Sequence, residues 1–181
     1  AVACTKTGAN AGISNPKPSV IGTPAVDPYT GRGPFFTATV NATVDADGFP
    51  HVTAFEGDAN FSRTLNDTWV LAPVLFWRWD DSDTSASVLT ITDVSRPGFA
   101  PQPKAKLPTG KLRPYMLYAK YALSIVGGVA RSVSGRPIAN RNVSHNSLIT
   151  QTKTATTGYA GKSYADDWYV KAMFLLKYAT K

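Results

Sequence analysis

The segment that decides the fold is residues 161–181, GKSYADDWYVKAMFLLKYATK. Ser163 and Asp166 have the spacing of a capping box, and Asp166 and Asp167 place negative charge where the helix dipole favours it. The segment therefore predicts a helix that begins near Ser163. The helical period predicts that its buried face comprises Trp168, Ala172, Leu175, Leu176 and Ala179.

The opposite side of this helix is also apolar, through Tyr169, Val170, Met173 and Phe174. A helix of this kind must be covered on most of its circumference. We expect Trp168 to be buried against the segment YMLYAKYAL, residues 115–123. Because no glycine, proline or other turn residue follows the helix, we also expect the chain to be the front part of a longer protein.

The composition is that of a globular protein: the 181 residues are 43% hydrophobic and 17% charged. A net charge of +7 permits an anionic partner, but the basic residues are scattered, which argues against nucleic acid. With the single cysteine Cys4, no internal disulfide is possible. No apolar stretch is long enough to predict a membrane span.

The first half of the chain divides into an arm and a β-rich region. Residues 1–33 are rich in glycine, proline and small polar residues and predict an extended arm, either a flexible leader or a segment that docks on a neighbouring subunit. Residues 34–95 are predicted to be β-rich. In this region Asp47-Gly48 separates two alternating stretches and predicts a hairpin. The apolar run from Trp69 to Trp77 predicts one nearly continuous strand buried on both faces, followed by a second hairpin with the tip DDSDTS.

The second half is predicted to be a linker followed by an α+β region. Residues 96–113 are proline-rich and predict a linker or surface loop. Residues 114–181 predict a strand, a turn at Gly127-Gly128, a second strand and two helices. The first helix is HNSLITQTKTA, which Ser144 caps and Gly158 ends, and its core-facing residues are predicted to be Leu148 and Ile149. The predicted fold class is α+β.

Acidic and glycine-rich motifs do not complete a metal or nucleotide site. TTGYAGKS, residues 156–163, has threonine where a phosphate-binding loop begins with glycine, so helix capping is favoured. Two acidic groups lack a full calcium ligand set and are interpreted as a turn and a solvated loop: Asp45 with Asp47, and Asp80 with Asp81 and Asp83. We predict no metal and no cofactor.

No catalytic residue is predicted either. His145 adjoins Ser144, but neighbours in sequence do not make a nucleophile and its base, so His145 is interpreted as structural. His51 lies on an alternating strand and is interpreted in the same way. Cys4 has no histidine partner and no basic neighbour nearer than Lys6, which argues against a reactive thiol.

The sequence Trp77-Arg78-Trp79 is the strongest candidate for a binding surface. Strand alternation puts both tryptophans on one face and Arg78 on the other. Aromatic faces stack against sugar rings, and they also fill cores and subunit interfaces. Both interpretations stay open: core or interface, and a ligand platform formed by Trp77 and Trp79.

Residues 52–79, 106–122 and 134–181 resemble phage and prophage structural proteins of Gram-positive gut bacteria, of the tail, fibre or minor virion kind. The strand pair followed by the helices HNSLITQTKTA and ADDWYVKAMFLLKYA also resembles the front of the C-type-lectin-like fold of phage receptor-binding proteins and formylglycine-generating enzymes. The catalytic cysteines of those enzymes have no counterpart in these residues. The resemblance implies no ligand residue in this part of the fold.

The resemblance implies a virion structural protein, not an enzyme, that mediates attachment to the host cell. Its implied partners are other virion proteins, further copies of itself, closing most often as a trimer, and a host surface glycan or protein. The alternative is a virion-associated carbohydrate-active or cell-wall-degrading enzyme. Its available proton donors would be the aspartates Asp80, Asp81, Asp166 and Asp167.

Overall fold

The computed structural model describes residues 2–7, 19–20, 37–45, 49–83, 86–107, 109–139, 144–155 and 164–178. This described part is strand-rich and contains two helices, which confirms the α+β class. In chain order its elements are β1 (Val2–Thr7), β2 (Ser19–Val20), β3 (Ala38–Val44), β4 (Pro50–Phe55), β5 (Thr68–Pro73), β6 (Phe76–Asp83), β7 (Ala86–Thr92), β8 (Ala100–Pro101), β9 (Tyr115–Ala119), β10 (Ser124–Val126), β11 (Val129–Arg131), α1 (His145–Ala155) and α2 (Tyr164–Tyr178).

The chain forms two compact units that alternate along the sequence. The first unit takes its residues from 1–36, 73–106 and 163–181, and the second from 37–72 and 107–162. This division differs from the predicted regions 1–33, 34–95, 96–113 and 114–181. The proline-rich segment, predicted to be a linker or surface loop, contains one change of unit, between Lys106 and Leu107. Most of its described residues are exposed, whereas Gln102, Ala105 and Leu107 are buried.

The apolar run from Trp69 to Trp77 is not one strand, as predicted, but two strands in different sheets. β5 ends at Pro73, which has no N–H to continue a ladder, and β6 begins at Phe76. Between the two strands Leu75 is buried, and its backbone groups pair with Gln102. Its N–H donates to the Gln102 side-chain oxygen (2.8 Å), and its carbonyl accepts from the Gln102 N–H (2.8 Å).

The sheet of the first unit has the strand order β2-β1-β7-β6-β8. The hairpin of β6 and β7 is confirmed, with Trp77 opposite Ile91 and Trp79 opposite Leu89. From the predicted arm, residues 2–7 form β1, which pairs antiparallel with β7 of the same chain. β2 pairs with β1, and the rest of residues 1–33 lies outside the described residues.

The main sheet of the second unit has the strand order β4-β3-β5-β9. The hairpin of β3 and β4 is confirmed, although its predicted turn at Asp47-Gly48 lies outside the described residues. β10 and β11 form a separate hairpin, where φ is 59° at Gly127 and 79° at Gly128. Positive φ at both central positions is the signature of a type I′ turn, which explains the glycine pair.

A buried polar network connects β3, β5 and β11 in the second unit. The Asn41 side chain, 1% exposed, donates to the carbonyls of Ser62 (2.9 Å) and Asp67 (3.2 Å) and accepts from the Ser62 N–H (2.8 Å). Arg131 Nε reaches both Asp67 carboxylate oxygens, at 3.0 and 3.1 Å. The Ser132 N–H donates to the same carboxylate (2.7 Å). Strands far apart in sequence are thus joined through side chains.

The Tyr115 side chain, on the edge strand β9, forms hydrogen bonds with backbone groups on the unpaired side of the other edge strand, β4. Its hydroxyl donates to the Pro50 carbonyl (2.8 Å) and accepts from the Val52 N–H (3.1 Å). Unpaired backbone groups on an edge strand otherwise offer a template for another chain. One hydroxyl therefore protects this edge.

Replacing Tyr115 with phenylalanine should lower the free energy of unfolding by about 2 kcal/mol, because two backbone groups lose their partner while the ring remains. Urea denaturation measures the change. Tyr121→Phe is the matched control, because the Tyr121 hydroxyl makes no hydrogen bond among the described residues. This substitution should leave the free energy of unfolding unchanged. A Tyr115→Phe protein as stable as wild type would show that water satisfies this edge equally well.

Helix α1 has the predicted bounds and the predicted cap. Ser144 Oγ accepts from the Ser147 N–H at 3.2 Å, as an N-cap residue does. The prediction that Leu148 and Ile149 both face the core is wrong for Ile149, which is 38% exposed. Ile149 lies about 100° around the helix from Leu148, at the more exposed of the two positions. Gly158 lies outside the described residues.

The buried face of α2 agrees with the predicted one at Ala172 and differs from it at the neighbouring positions. The side chains that it buries are Asp166, Tyr169 and Ala172, whereas Trp168 is half-buried and Val170 and Phe174 are about half exposed. On this buried face the Asp166 carboxylate accepts from Lys104 Nζ at 2.6 Å. The side chains of Leu175 and Leu176, and all of Ala179, lie outside the described residues.

Candidate ligand-binding surface

The candidate surface, here called the tryptophan face, is the side of β6 that carries Trp77 and Trp79. Asp81 belongs to it because it accepts a hydrogen bond from the Trp79 indole, at a point where the strand register shifts. Alternate residues of a strand share a face, so Arg78 belongs to the other side, where its guanidinium lies 5.3 Å above the centre of the Phe99 ring. The two predicted platform residues differ in their surroundings.

Trp77 is covered by the C-terminal helix. The rings of Trp77 and Trp168 are 5.3 Å apart between centroids and tilted by 50°, a geometry that aromatic pairs prefer. The ring contact that Trp168 makes is with Trp77 of β6, whereas the sequence predicted packing on residues 115–123. Among the described residues, no acceptor reaches the buried indole N–H of Trp77. Trp77 therefore contributes to packing within the first unit.

Trp79 is the open member of the pair, with 46% of its surface exposed. Its indole N–H donates to Asp81 Oδ1, two residues further along the same face. The cross-strand neighbour of Trp79 on β7 is Leu89, which is buried. The hydrogen bond restrains an aromatic ring that is otherwise exposed.

A strained turn lies between β8 and the unit boundary. The Ala105 N–H donates to the Gln102 carbonyl (3.0 Å), Pro103 occupies the second position, and Lys104 has φ of 67°. Glycine is the residue usually found at this third position of a type II turn. Lys104 adopts this positive-φ conformation. Its ion pair with Asp166 anchors α2 to the turn. Gln102 is 1% exposed, and in the described part of the chain its side-chain NH₂ has no acceptor.

The four aspartates considered as proton donors are each held by a hydrogen-bond donor or a cation. Asp166 pairs with Lys104, and Asp167 pairs with Lys171 at 2.6 Å. Asp81 accepts from Trp79, and hydrogen bonds from the Ser82 side chain and backbone, with the charge of Arg78, lower the pKa of Asp80. A general acid at neutral pH needs the opposite environment, an apolar one that favours the protonated form.

The other sequence motifs form no reactive group in the described residues. His51 Nε2 lies 3.2 Å from Asp45 Oδ2 on the exposed side of the first hairpin, where Asp45 also accepts from the Phe49 N–H (2.7 Å). His145 is the exposed first residue of α1, and Cys4 lies in β1 in register with Leu89. No group of three potential metal ligands occurs in the described part of the chain. Residues 156–163, Asp47 and the side chain of Asp83 lie outside it.

Comparison with known proteins gives no assignment. No protein-family model, no curated protein and no solved structure matches the chain. In the described part of the chain, neither helix has the length and apolar character that crossing a membrane requires.

Proposed function

We propose that this protein is a structural component of a phage virion, in a tail, fibre or receptor-binding assembly, and that it attaches the particle to its host cell. The observation that carries the proposal is the exposed and oriented indole of Trp79, because a fixed aromatic face suits a surface ligand. The sequence resemblance to phage structural proteins supports the same function. Its location is accordingly the virion, with other virion proteins as neighbours.

The finer fold assignment belongs to this proposal. We propose that residues 114–181 correspond to the front of a C-type-lectin-like fold. The order of elements supports it, because the strand pair β10–β11 is followed by α1 and α2. Structure determination of the protein with a bound glycan would test this assignment directly.

Attachment without catalysis is tested by incubating the protein with purified cell walls of the bacterium that the phage infects. The protein should sediment with the walls and release no sugar or peptide. Measurable release would favour the alternative, a carbohydrate-active or cell-wall-degrading enzyme. The environments of Asp80, Asp81, Asp166 and Asp167 support binding rather than hydrolysis, because each carboxyl group is engaged by a donor or a cation.

We further propose that the protein is a homo-oligomer, and that the oligomer is a trimer. The exposed apolar residues Val170 and Phe174, one turn apart on α2, support the presence of an interface. Sedimentation equilibrium at micromolar concentration should give a mass of three chains. A folded monomer would contradict the proposal, and Val170→Asp should shift the equilibrium towards monomer.

A further inference from the structure

We propose that Trp79 and Asp81 form a subsite for a single uncharged sugar ring, and that the ligand is the neutral glycan of the wall rather than a phosphate-bearing polymer. This inference rests on the attachment function proposed above. It identifies the chemistry of the ligand and the residues that recognise it.

The number of sugar rings that the subsite can hold follows from the exposure of the two tryptophans. Trp168 covers Trp77, so the exposed aromatic surface on the tryptophan face is that of Trp79. One indole offers about the area of one sugar ring. Two rings stacked in succession would require Trp77 to be open as well.

The charge of the subsite decides the class of ligand. Asp81 lies beside the indole and, when ionised, only accepts hydrogen bonds, so it matches sugar hydroxyl and amide N–H donors. Arg78, the basic residue of β6, lies on the opposite face over Phe99. A phosphate group at the Trp79 indole would therefore meet the like charge of the Asp81 carboxylate.

The test compares two wall preparations, one intact and one treated with hydrofluoric acid, which removes phosphodiester-linked polymers and leaves the neutral glycan. The wild-type protein should bind both. Trp79→Ala should weaken binding to the treated walls by about tenfold, as loss of an aromatic anchor does, and Asp81→Asn by about fivefold. Phe55→Ala is the matched control: Phe55 is 48% exposed, similar to Trp79, but lies in the other unit, so its replacement should have no effect.

Two results would overturn the subsite while leaving the attachment function intact. One is wild-type binding that disappears when phosphate is removed, and the other is a Trp79→Ala protein that binds treated walls as wild type does. Failure of the wild-type protein to bind either preparation would instead contradict the attachment function itself. Melting curves should be unchanged in Trp79→Ala and Asp81→Asn, because both side chains are exposed.

Discussion

Replacing Asn41 with alanine is expected to lower the free energy of unfolding by about 3 kcal/mol. Asn41 is almost fully buried in β3, and its amide joins the loop before β5 to the sheet through Ser62, Asp67 and Thr68. Alanine leaves the Ser62 N–H and the two carbonyl groups without this partner in a site from which water is largely excluded. That loss is large against a typical total stability of roughly 5 to 15 kcal/mol.

The matched control for Asn41 is Asn60, whose side-chain amide donates to the Thr53 carbonyl (3.2 Å) on the exposed surface. Water replaces that hydrogen bond, so Asn60→Ala should change stability by less than about 0.5 kcal/mol. Urea denaturation followed by circular dichroism measures both variants. Equal stability of the two variants would show that the Asn41 network is not what holds the second unit together.

Replacing Trp168 with alanine is expected to cost about 3 kcal/mol, the lower end of the range for this substitution, because the ring is only half-buried. The change removes the ring that packs on Trp77 and opens the contact between α2 and β6. The ion pair of Lys104 with Asp166 and the packing of α2 on β1 also hold the helix in the first unit.

Trp79→Ala is the natural comparison, because it removes the same side chain from an exposed position of the same unit. It should melt within about a degree or two of wild type, since exposed substitutions change stability little. A Trp168→Ala protein that also melts near wild type would mean that α2 is peripheral to the first unit.

Local structure was largely predictable from the sequence. Ser144 is followed by a helix that its hydroxyl caps, and Gly127-Gly128 supplies the two positive φ values that a tight hairpin needs. These signals act between residues close in sequence, so the sequence pattern contains them. The same holds for the hairpins of β3 with β4 and β6 with β7.

Long-range organisation was not predictable in the same way. The buried face of α2 includes Asp166, whose partner Lys104 lies 62 residues earlier in the chain, whereas apolar periodicity alone favours Trp168. Similarly, the run from Trp69 to Trp77 has the composition of a single buried strand. Its division at Pro73 depends on Gln102, which supplies a new partner to Leu75 from 27 residues away.

The candidate surface was predictable in part. Strand alternation identifies Trp77 and Trp79 as neighbours on one face, but it does not show that Trp168 covers one and leaves the other open. The pairing of Asp81 with the Trp79 indole has a sequence signal, a spacing of two residues on a strand. Gln102 and Lys104 carried no comparable signal, because a proline-rich segment is typical of a solvated loop.

The central claim, that this chain is an exposed part of a virion that attaches to cells, is tested most directly by immunogold electron microscopy of purified particles. An antibody raised against the protein should label the outer surface of intact particles, at the tail, a fibre or the tail tip. Unlabelled particles, in a lysate whose soluble fraction the same antibody recognises, would contradict the claim.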